Sequence, residues 1–351
     1  MGEPLIWVLC GARAGDTAQA LELARRVGGK VVAQQLTFNW RHHLPNWLSG
    51  TSAASLEEHS RAALIPPWPD LVIATGKRTA PVARWIKQQS EGRAVIVQLG
   101  RPRTAFKHFD LIVTTRQYGL PTAENVMLIN LPFAVPKVQE KALLDHWQQQ
   151  WKALPRPLIA AAIGAPKFPL RLGAAQLDEY GSALGALVRR EGGSILLFGS
   201  PRSAADAVGR VRGQTGGSTW IANGSGPGNP YQAALSLADM FAVTGDSVSM
   251  ASEMVATGKP THIFPLPLWS SPSWRAESGL TGWLARSGVL VPPRDVDGFI
   301  KALLASGAAS DLRDLTRAQR PEQLATDQDD VVKRIRTLLE QSSRGNDSLP
   351  G

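Results

Sequence analysis

Short, unbroken apolar runs return at helix-length intervals along the whole chain, and that rhythm restricts the fold more than any other feature. LIWVL (5–9) precedes a helically spaced segment from Thr17 to Val27, with Leu21, Ala24 and Val27 on one face. VVAQQL (31–36), DLVIA (70–74), AVIVQL (94–99), DLIVTT (110–115) and NVMLIN (125–130) continue the series. After DLVIA comes APVARWIKQQ, whose Val82, Trp85 and Ile86 stand at i, i+3 and i+4, with Pro81 in the first turn. Strands that are apolar throughout are covered on both faces, so the pattern implies parallel sheets flanked by helices.

The rhythm pauses at LPFAVP (131–136) and resumes beyond a helix-like segment from Val138 to Ala153 and the break LPRP. PLIAAAIG, a helix from Ala174 to Arg189, SILLFGS (194–200), STWIANG (218–224), MFAVTGD (240–246) and THIFPL (261–266) follow. The expected fold class is therefore α/β, with two doubly wound Rossmann-like domains facing across a cleft. The expected boundaries are 1–136 for the N-terminal domain, 137–156 for a linker helix and 157–310 for the C-terminal domain. A helical segment over 311–342 and a disordered tail over 343–351 complete the chain. The amphipathic stretch from Asp327 to Leu339, with Val331, Ile335 and Leu338, is expected to cross back onto the first domain.

Composition narrows the class of protein. A chain of 351 residues suits two domains of ordinary size, and 43% apolar with 19% charged residues is the balance of a folded soluble protein. The longest apolar runs fall short of the ~20 residues that a membrane span needs. The N-terminus MGEPLIWVLCGARAG lacks a basic leader region and reads as a core strand rather than a signal peptide. Cys10 is the single cysteine, which fits a reducing cytoplasm, and its place at a strand end reads as a buried, inert thiol. The net charge of +9 suggests an anionic partner. Between Lys77 and Arg116 the nine basic residues Lys77, Arg78, Arg84, Lys87, Arg93, Arg101, Arg103, Lys107 and Arg116 face only Glu91 and Asp110. No RNA-binding signature or zinc-ligand spacing accompanies them, so no specific nucleic-acid partner is expected. The competing reading is a solvated basic face.

Ligands of doubly wound sheets bind outside the carboxyl ends of the strands, and four strand-end loops hold suitable groups. In CGARAGDTAQAL (10–21), Gly11 and Gly15 bracket a turn into a helix with Asp16 or Thr17 as N-cap; Asp16 there is a plain cap or a general base. The glycine spacing is neither the dinucleotide fingerprint nor a P-loop. In ATGKRTAPVARW (74–85), Thr79 reads as N-cap, and Lys77 and Arg78 stand beside a helix start, where cations are disfavoured unless an anion is present. With Arg101 they form the expected acceptor or anion-binding set. In AIGAPKF (162–168) and FGSPRSAAD (198–206), Gly164, Lys167, Ser200, Arg202 and Ser203 offer donors to phosphate, although Ser203 suits an ordinary N-cap equally.

The fourth loop is the richest. After MFAVT, the run Gly245, Asp246, Ser247, Val248, Ser249, Met250 brings small residues and hydroxyls to a helix start, with Glu253 one turn inside. Such a turn suits a nucleotide diphosphate, with Glu253 accepting from a ribose diol. The competing reading is a capped helix carrying a solvated glutamate.

These residues resemble the GT-B glycosyltransferases, in particular the lipid-linked N-acetylglucosaminyltransferase of peptidoglycan synthesis. SMASE (249–253) is similar to that family's late Ser-Glu motif, which implies a ribose-binding role for Glu253. AGD (14–16) falls where the family carries Gly-His, which implies a catalytic-base role for Asp16. A narrower resemblance is to the mitochondrial-fission "elongated mitochondria" family, described as glycosyltransferase-like. It is carried by GARAGDTAQALELA, PDLVIATGKRTAPVARW, VQLGRPR, FDLIVTT and NPYQAALSLADMFAVTGDSVSMASEMVATGKP, spanning roughly 5–265. One departure is Pro201, where a second basic or polar residue is expected, leaving Arg202 alone in that loop. For plant members the resemblance implies recruitment of a dynamin-related protein at the mitochondrial surface.

Two functions follow as expectations. The first is a metal-independent transferase using a nucleotide diphosphate sugar as donor substrate, with no tightly bound cofactor, acting on an envelope glycolipid or saccharide. Asp16 would be its base. Gly15, Gly164, Ser200, Arg202, Asp246, Ser247, Ser249, Met250 and Glu253 would contact the nucleotide. The basic segment, with Trp40, Trp47 and Trp85, would seat this cytoplasmic protein on an anionic membrane surface or beside a lipid-linked acceptor. The second is a non-catalytic adaptor that keeps the fold. An epimerase or dehydrogenase ranks last, because neither half has the glycine fingerprint.

Overall fold

The computed structural model describes residues 3–11, 13–44, 46, 50–133, 140–200, 202–216, 219–221, 227–269, 279–314 and 324–347. Trp47 and Pro201, both singled out above, lie outside the described residues. The strands are β1 (Leu5–Cys10), β2 (Lys30–Gln35), β3 (Leu71–Thr75), β4 (Val95–Leu99), β5 (Leu111–Thr115) and β6 (Val126–Ile129) in the first half. In the second half they are β7 (Leu158–Ile163), β8 (Ser194–Gly199), β9 (Thr219–Ile221), β10 (Met240–Thr244), β11 (Thr261–Phe264) and β12 (Ser310–Asp311). The α-helices used below are α1 (Ala14–Val27), α2 (Glu58–Ala62), α3 (Gly76–Gln89), α4 (Lys141–Trp151) and α5 (Ala174–Glu191). They continue as α6 (Ala207–Thr215), α7 (Pro230–Leu237), α8 (Val248–Ala256), α9 (Gly279–Arg286), α10 (Val296–Ala305) and α11 (Leu324–Asp347).

All strand pairings within the two sheets are parallel. The first sheet has six strands in the order β2-β1-β3-β4-β5-β6, the second six in the order β12-β11-β10-β7-β8-β9. Counted from its own first strand and read from the other edge, the second is the 3-2-1-4-5-6 order of a dinucleotide-binding sheet; the first is a 2-1-3-4-5 sheet with one strand added. Side-chain alternation explains the unbroken apolar runs. In β1, Ile6, Val8 and Cys10 enter one hydrophobic cluster with α1, while Trp7 and Leu9 enter another with α3. Both faces of the sheet are therefore core. In the second sheet Ile159, Ala161 and Ile163 of β7 pack under Leu177, Tyr180, Leu184 and Leu187 of α5. Trp147 and Trp151 of α4 close on Trp220 of β9, with ring centroids 5.4–5.6 Å apart.

The chain divides into two compact units: Met1–Ala134, Trp274–Arg294 and Leu324–Gly351 form one, Val135–Ser273 and Asp295–Gln323 the other. The final helix thus belongs to the first unit, as its amphipathic pattern suggested. Val331, Val332 and Ile335 are buried in the cluster that holds α1 and the β1 face. Polar contacts fix its register: the Arg336 guanidinium donates to the carbonyls of Arg26 and Val27, and Asn130 donates to Asp327. The helix extends to Asp347, and 348–351 lie outside the described residues.

Two helix starts differ from expectation. α1 begins at Ala14, with Arg13 as N-cap and Thr17 N–H bonded to the Arg13 carbonyl, so Asp16 and Thr17 lie in the first turn rather than at the cap. α3 begins at Gly76 with Thr75 as N-cap; Thr79 is a buried first-turn residue whose hydroxyl donates to the Thr75 carbonyl at 2.9 Å. In both, no side-chain cap is used, and β3 passes straight into its helix. Among the described residues, no helix is long and apolar enough to cross a membrane.

Candidate functional site

Strand order locates the places where loops diverge. In the second sheet the order reverses between β7 and β10, in the first between β1 and β3. Neighbouring strands at such a point send their following helices to opposite faces and open a crevice at their carboxyl ends. The four loops there begin at Gly164, Gly245, Gly11 and Gly76. All four loops chosen from sequence alone therefore reach these two switch points, and the segment after β8, taken with the β7 loop, borders the second.

In the second unit the switch point is tightly tied. The Gly164 N–H donates to the Thr244 hydroxyl at 2.8 Å, and that hydroxyl donates to Asp246 Oδ1 at 2.7 Å. Asp246 lies so close that a Cβ on Gly164 would sit 2.2 Å from Oδ2, which explains the glycine. Burial pushes the Asp246 carboxyl up, offset by hydrogen bonds from Thr244 and the Ala165 amide and by the charge of Arg202. Gly245 packs against β11, its N–H donating to the Phe264 carbonyl at 2.8 Å. Ser203 donates to the carbonyls of Ile163 and Gly164 rather than capping α6, whose N-cap is Asp206. These bonds hold the loops after β7 and β8 around a cavity of about 100 Å³ lined by Gly164, Ala165, Pro166, Arg202, Ser203 and Ala204. Arg202 is exposed there, its N–H turned to the Ser200 hydroxyl.

Ser247 caps α8, accepting from the Met250 N–H at 3.4 Å. Ser249 is exposed and Met250 half-buried in the same first turn, where the leading amides of a helix have no intrahelical acceptor. Glu253 stands on the next turn, and the Tyr231 hydroxyl of α7 donates to its Oε2 at 3.0 Å. Burial and the Glu253 charge push the Tyr231 phenol far up, so it stays a donor. Gly164, Ser200, Arg202 and Asp246 are thus gathered at one place, with Ser247, Ser249, Met250 and Glu253 following along α8. Lys167 is exposed on the β7 loop and does not line the cavity. Replacing Gly164 with alanine should displace the Asp246 carboxylate and cost about 1–3 kcal/mol of stability. Thermal unfolding should show that cost shrinking when the change is made in an Asp246→Ala background.

In the first unit, Gly15 is exposed and Asp16 half-buried in the first turn of α1. Burial raises the Asp16 carboxyl, partly offset by Arg13 and Arg294. Lys77 and Arg78 open α3. Burial, then Arg103 and Arg78, push the Lys77 ammonium down. Arg101, after β4, donates to the Tyr118 carbonyl. Tyr118, Arg294 and Tyr231 were not picked out from sequence. Arg294 ends the middle of the three stretches that make up the first unit, distant along the chain from the loops it joins, and no local signal marks it.

The basic segment does not form one field. Arg84, Lys87, Lys107 and His108 line a cavity of about 670 Å³ with Asp110. It lies at the amino ends of β4 and β5, the far end of the sheet from Lys77 and Arg101, and its Lys87 is already paired with Asp110 at 2.6 Å. Trp85 meets Trp68 edge-on at 5.9 Å inside a hydrophobic cluster, so it is no surface anchor, whereas Trp40 is 69% exposed. Cys10 is buried with its thiol pushed up by burial, as expected of an inert core cysteine. The sequence holds two Asp-x-Asp pairs, 295/297 and 327/329, so the expectation that no such motif is present does not hold. Asp295 caps α10 through the Gly298 N–H and Asp297 pairs with Lys301, while Asp327 accepts from Asn130. Both pairs begin with an aspartate committed to local structure.

Two doubly wound parallel sheets of these orders, with small-residue loops at each switch point, define a two-domain Rossmann-type protein of the GT-B-like class. More narrowly, residues 14–320 match the family described as Mitochondrial fission ELM1, and the chain belongs to that family. It is 29% identical over 221 residues to the Mitochondrial fission protein ELM1 of Arabidopsis thaliana, a match covering 56% of this chain and 51% of that protein. The chain thus spans about half the length of that relative. An uncharacterized protein of Rickettsia prowazekii is 25% identical over 301 residues, covering 76% of this chain and 84% of its own. Among solved structures, the UDP-GlcNAc 2-epimerase of Neisseria meningitidis bound to UDP-GlcNAc superposes with a TM-score of 0.48 at 10% identity, covering 95% of this chain and all of that one (100%). That likeness is too slight to bear on function.

Proposed function

We propose that the second unit binds a nucleotide diphosphate sugar and that the protein transfers the sugar to an acceptor hydroxyl, with Asp16 of the first unit as general base. The observation that carries this reading is the coincidence of the second switch point with an amide-rich, small-residue site. Ser200, Arg202, Ser247 and Ser249 offer donors to the diphosphate beside Gly164, whose own N–H is held by Thr244, and Glu253 offers a carboxylate to the ribose diol. Donors fixed beforehand where negative charge develops stabilise a departing diphosphate without reorganising, so the reading needs no metal ion. Asp246 organises the loop: its oxygens are occupied by Thr244 and Ala165. The first unit receives the acceptor near Lys77, Arg78 and Arg101, with an envelope glycolipid or saccharide as the acceptor class. Nucleotide-sugar turnover by the purified chain, measured with and without candidate acceptors, tests this; no turnover with any donor, alongside intact nucleotide binding, would remove the transferase step.

Family membership favours a second reading, in which the protein keeps the fold and the nucleotide pocket but serves as a non-catalytic adaptor for a membrane or partner protein. Its mark is nucleotide binding that changes partner or vesicle affinity, with no consumption of any nucleotide sugar.

A further inference from the structure

The loops at the carboxyl ends of the first sheet gather more positive charge than the chain neutralises. The guanidinium carbons of Arg101 and Arg294 lie 5.7 and 5.6 Å from the centroid of the Tyr118 ring, so two cations share one aromatic side chain. Arg101 donates from Nη2 to the Tyr118 carbonyl, yet its Nε is buried with no partner among the described residues. Arg13 acts electrostatically on Asp16 and Tyr118, Arg103 acts on both Arg101 and Lys77, and Arg78 acts on Lys77, so these cations complete the group. Among the described residues none of these cations forms an ion pair within 4.0 Å. Burial, with Arg103 and Arg294, pushes the Arg101 guanidinium down to about 10. Asp16 acts on Tyr118 and is itself acted on by Arg13 and Arg294.

The backbone that brings Arg294 here is firmly placed. Gly288, at φ +78°, would put a Cβ 2.4 Å from the Thr104 α-carbon, and Gly119, at φ +58°, would put one 3.2 Å from the Pro293 carbonyl oxygen. The 288–293 segment therefore rests directly on the loops after β4 and β5. Holding like charges together without counter-ions destabilises the fold. Guanidinium groups fit phosphate oxygens through paired N–H donors, and an incoming phosphate offsets the repulsion.

We propose that Arg101 and Arg294, arranged about Tyr118, with Lys77 linked to them through Arg103, form a phosphate-binding site in the first unit that takes a phosphate or diphosphate group. Assigning that group to the acceptor rests on the transferase reading; the binding itself does not. The site would then select acceptors carrying a phosphate near the hydroxyl presented to Asp16.

Calorimetric titration of the intact chain with inorganic pyrophosphate at low salt tests this. The wild type should show a saturable binding event that weakens at least about tenfold in Arg294→Gln and in Arg101→Gln. The same event should persist in Lys107→Gln, which lines the separate cavity, and in Lys333→Gln, exposed on α11. Arg294 is exposed, so its substitution keeps the test valid even where the loss of the partly buried Arg101 impairs folding. A parallel arm compares glycerol 3-phosphate with phosphatidylcholine vesicles containing phosphatidic acid. Arginine-dependent binding to the first indicates a soluble phosphate, and to the second a lipid headgroup. The proposal is overturned if pyrophosphate does not bind, or binds with the same affinity in both arginine variants. Intact pyrophosphate binding without sugar transfer would sink the transferase reading and leave this site standing.

Discussion

Asp16→Asn should lower sugar transfer by roughly 10²–10⁴-fold while leaving nucleotide affinity unchanged, the effect of removing a general base. The substitution keeps the size of the side chain and its place in the first turn of α1, so the helix should survive. The pH dependence carries a sign. Burial raises the Asp16 carboxyl, so the base is lost on acidification at a pH above the ordinary carboxylate range of about 3.9. Transfer should therefore rise with pH through that raised value, and the acidic limb should vanish in whatever activity Asp16→Asn retains. Stability runs the other way. Asp16 and Asp246 are both raised, so the folded state holds their protons more tightly than the unfolded state. Their combined contribution falls as pH rises from the unfolded value through the folded one. An unchanged transfer rate in Asp16→Asn would remove it as base.

The second large effect concerns stability. Ile335 of α11 is fully buried between the helix and the α1 face of the first sheet. Truncation to alanine removes apolar contact and leaves a cavity in a helix that joins no sheet, and should cost about 2–5 kcal/mol. Thermal denaturation and limited proteolysis should report it as a destabilised first unit. A change at exposed Lys333 on the same helix should cost under about 0.5 kcal/mol. If Ile335→Ala unfolds no more readily than the wild type, α11 contributes little to that core.

What the sequence disclosed and what it withheld divide along a physical line. Strands such as β1, β4 and β7 were readable to within a residue or two, because burial on both faces demands continuous apolar runs. Asp16 and Thr79 carry cap-type side chains yet lie inside the first turn, because neither helix uses a side-chain cap. At Arg13 and Thr75 the N-cap residue makes no side-chain bond to its helix. Glu253 and its hydroxyl-rich loop were legible because the composition departs from what a cap needs. Tyr231, which donates to Glu253, was not legible, since the pairing comes from two separate helices. Arg294 is the sharpest case: it reaches Asp16 and Tyr118 only because the chain returns to the first unit after building most of the second. The basic segment read as one field because sequence order hides that α3 runs back along the sheet, carrying Arg84 and Lys87 away from Lys77.

The central claim is that the second switch point holds a nucleotide diphosphate, and calorimetric titration of the intact chain with UDP, GDP, ADP and CMP tests it most directly. At least one nucleoside diphosphate should bind more tightly than CMP. Glu253→Ala should weaken it by about 1–3 kcal/mol, and Tyr231→Phe by about 1 kcal/mol through loss of the bond that orients Glu253. Absence of binding by every diphosphate, or a dissociation constant that Glu253→Ala leaves unmoved, would contradict the account.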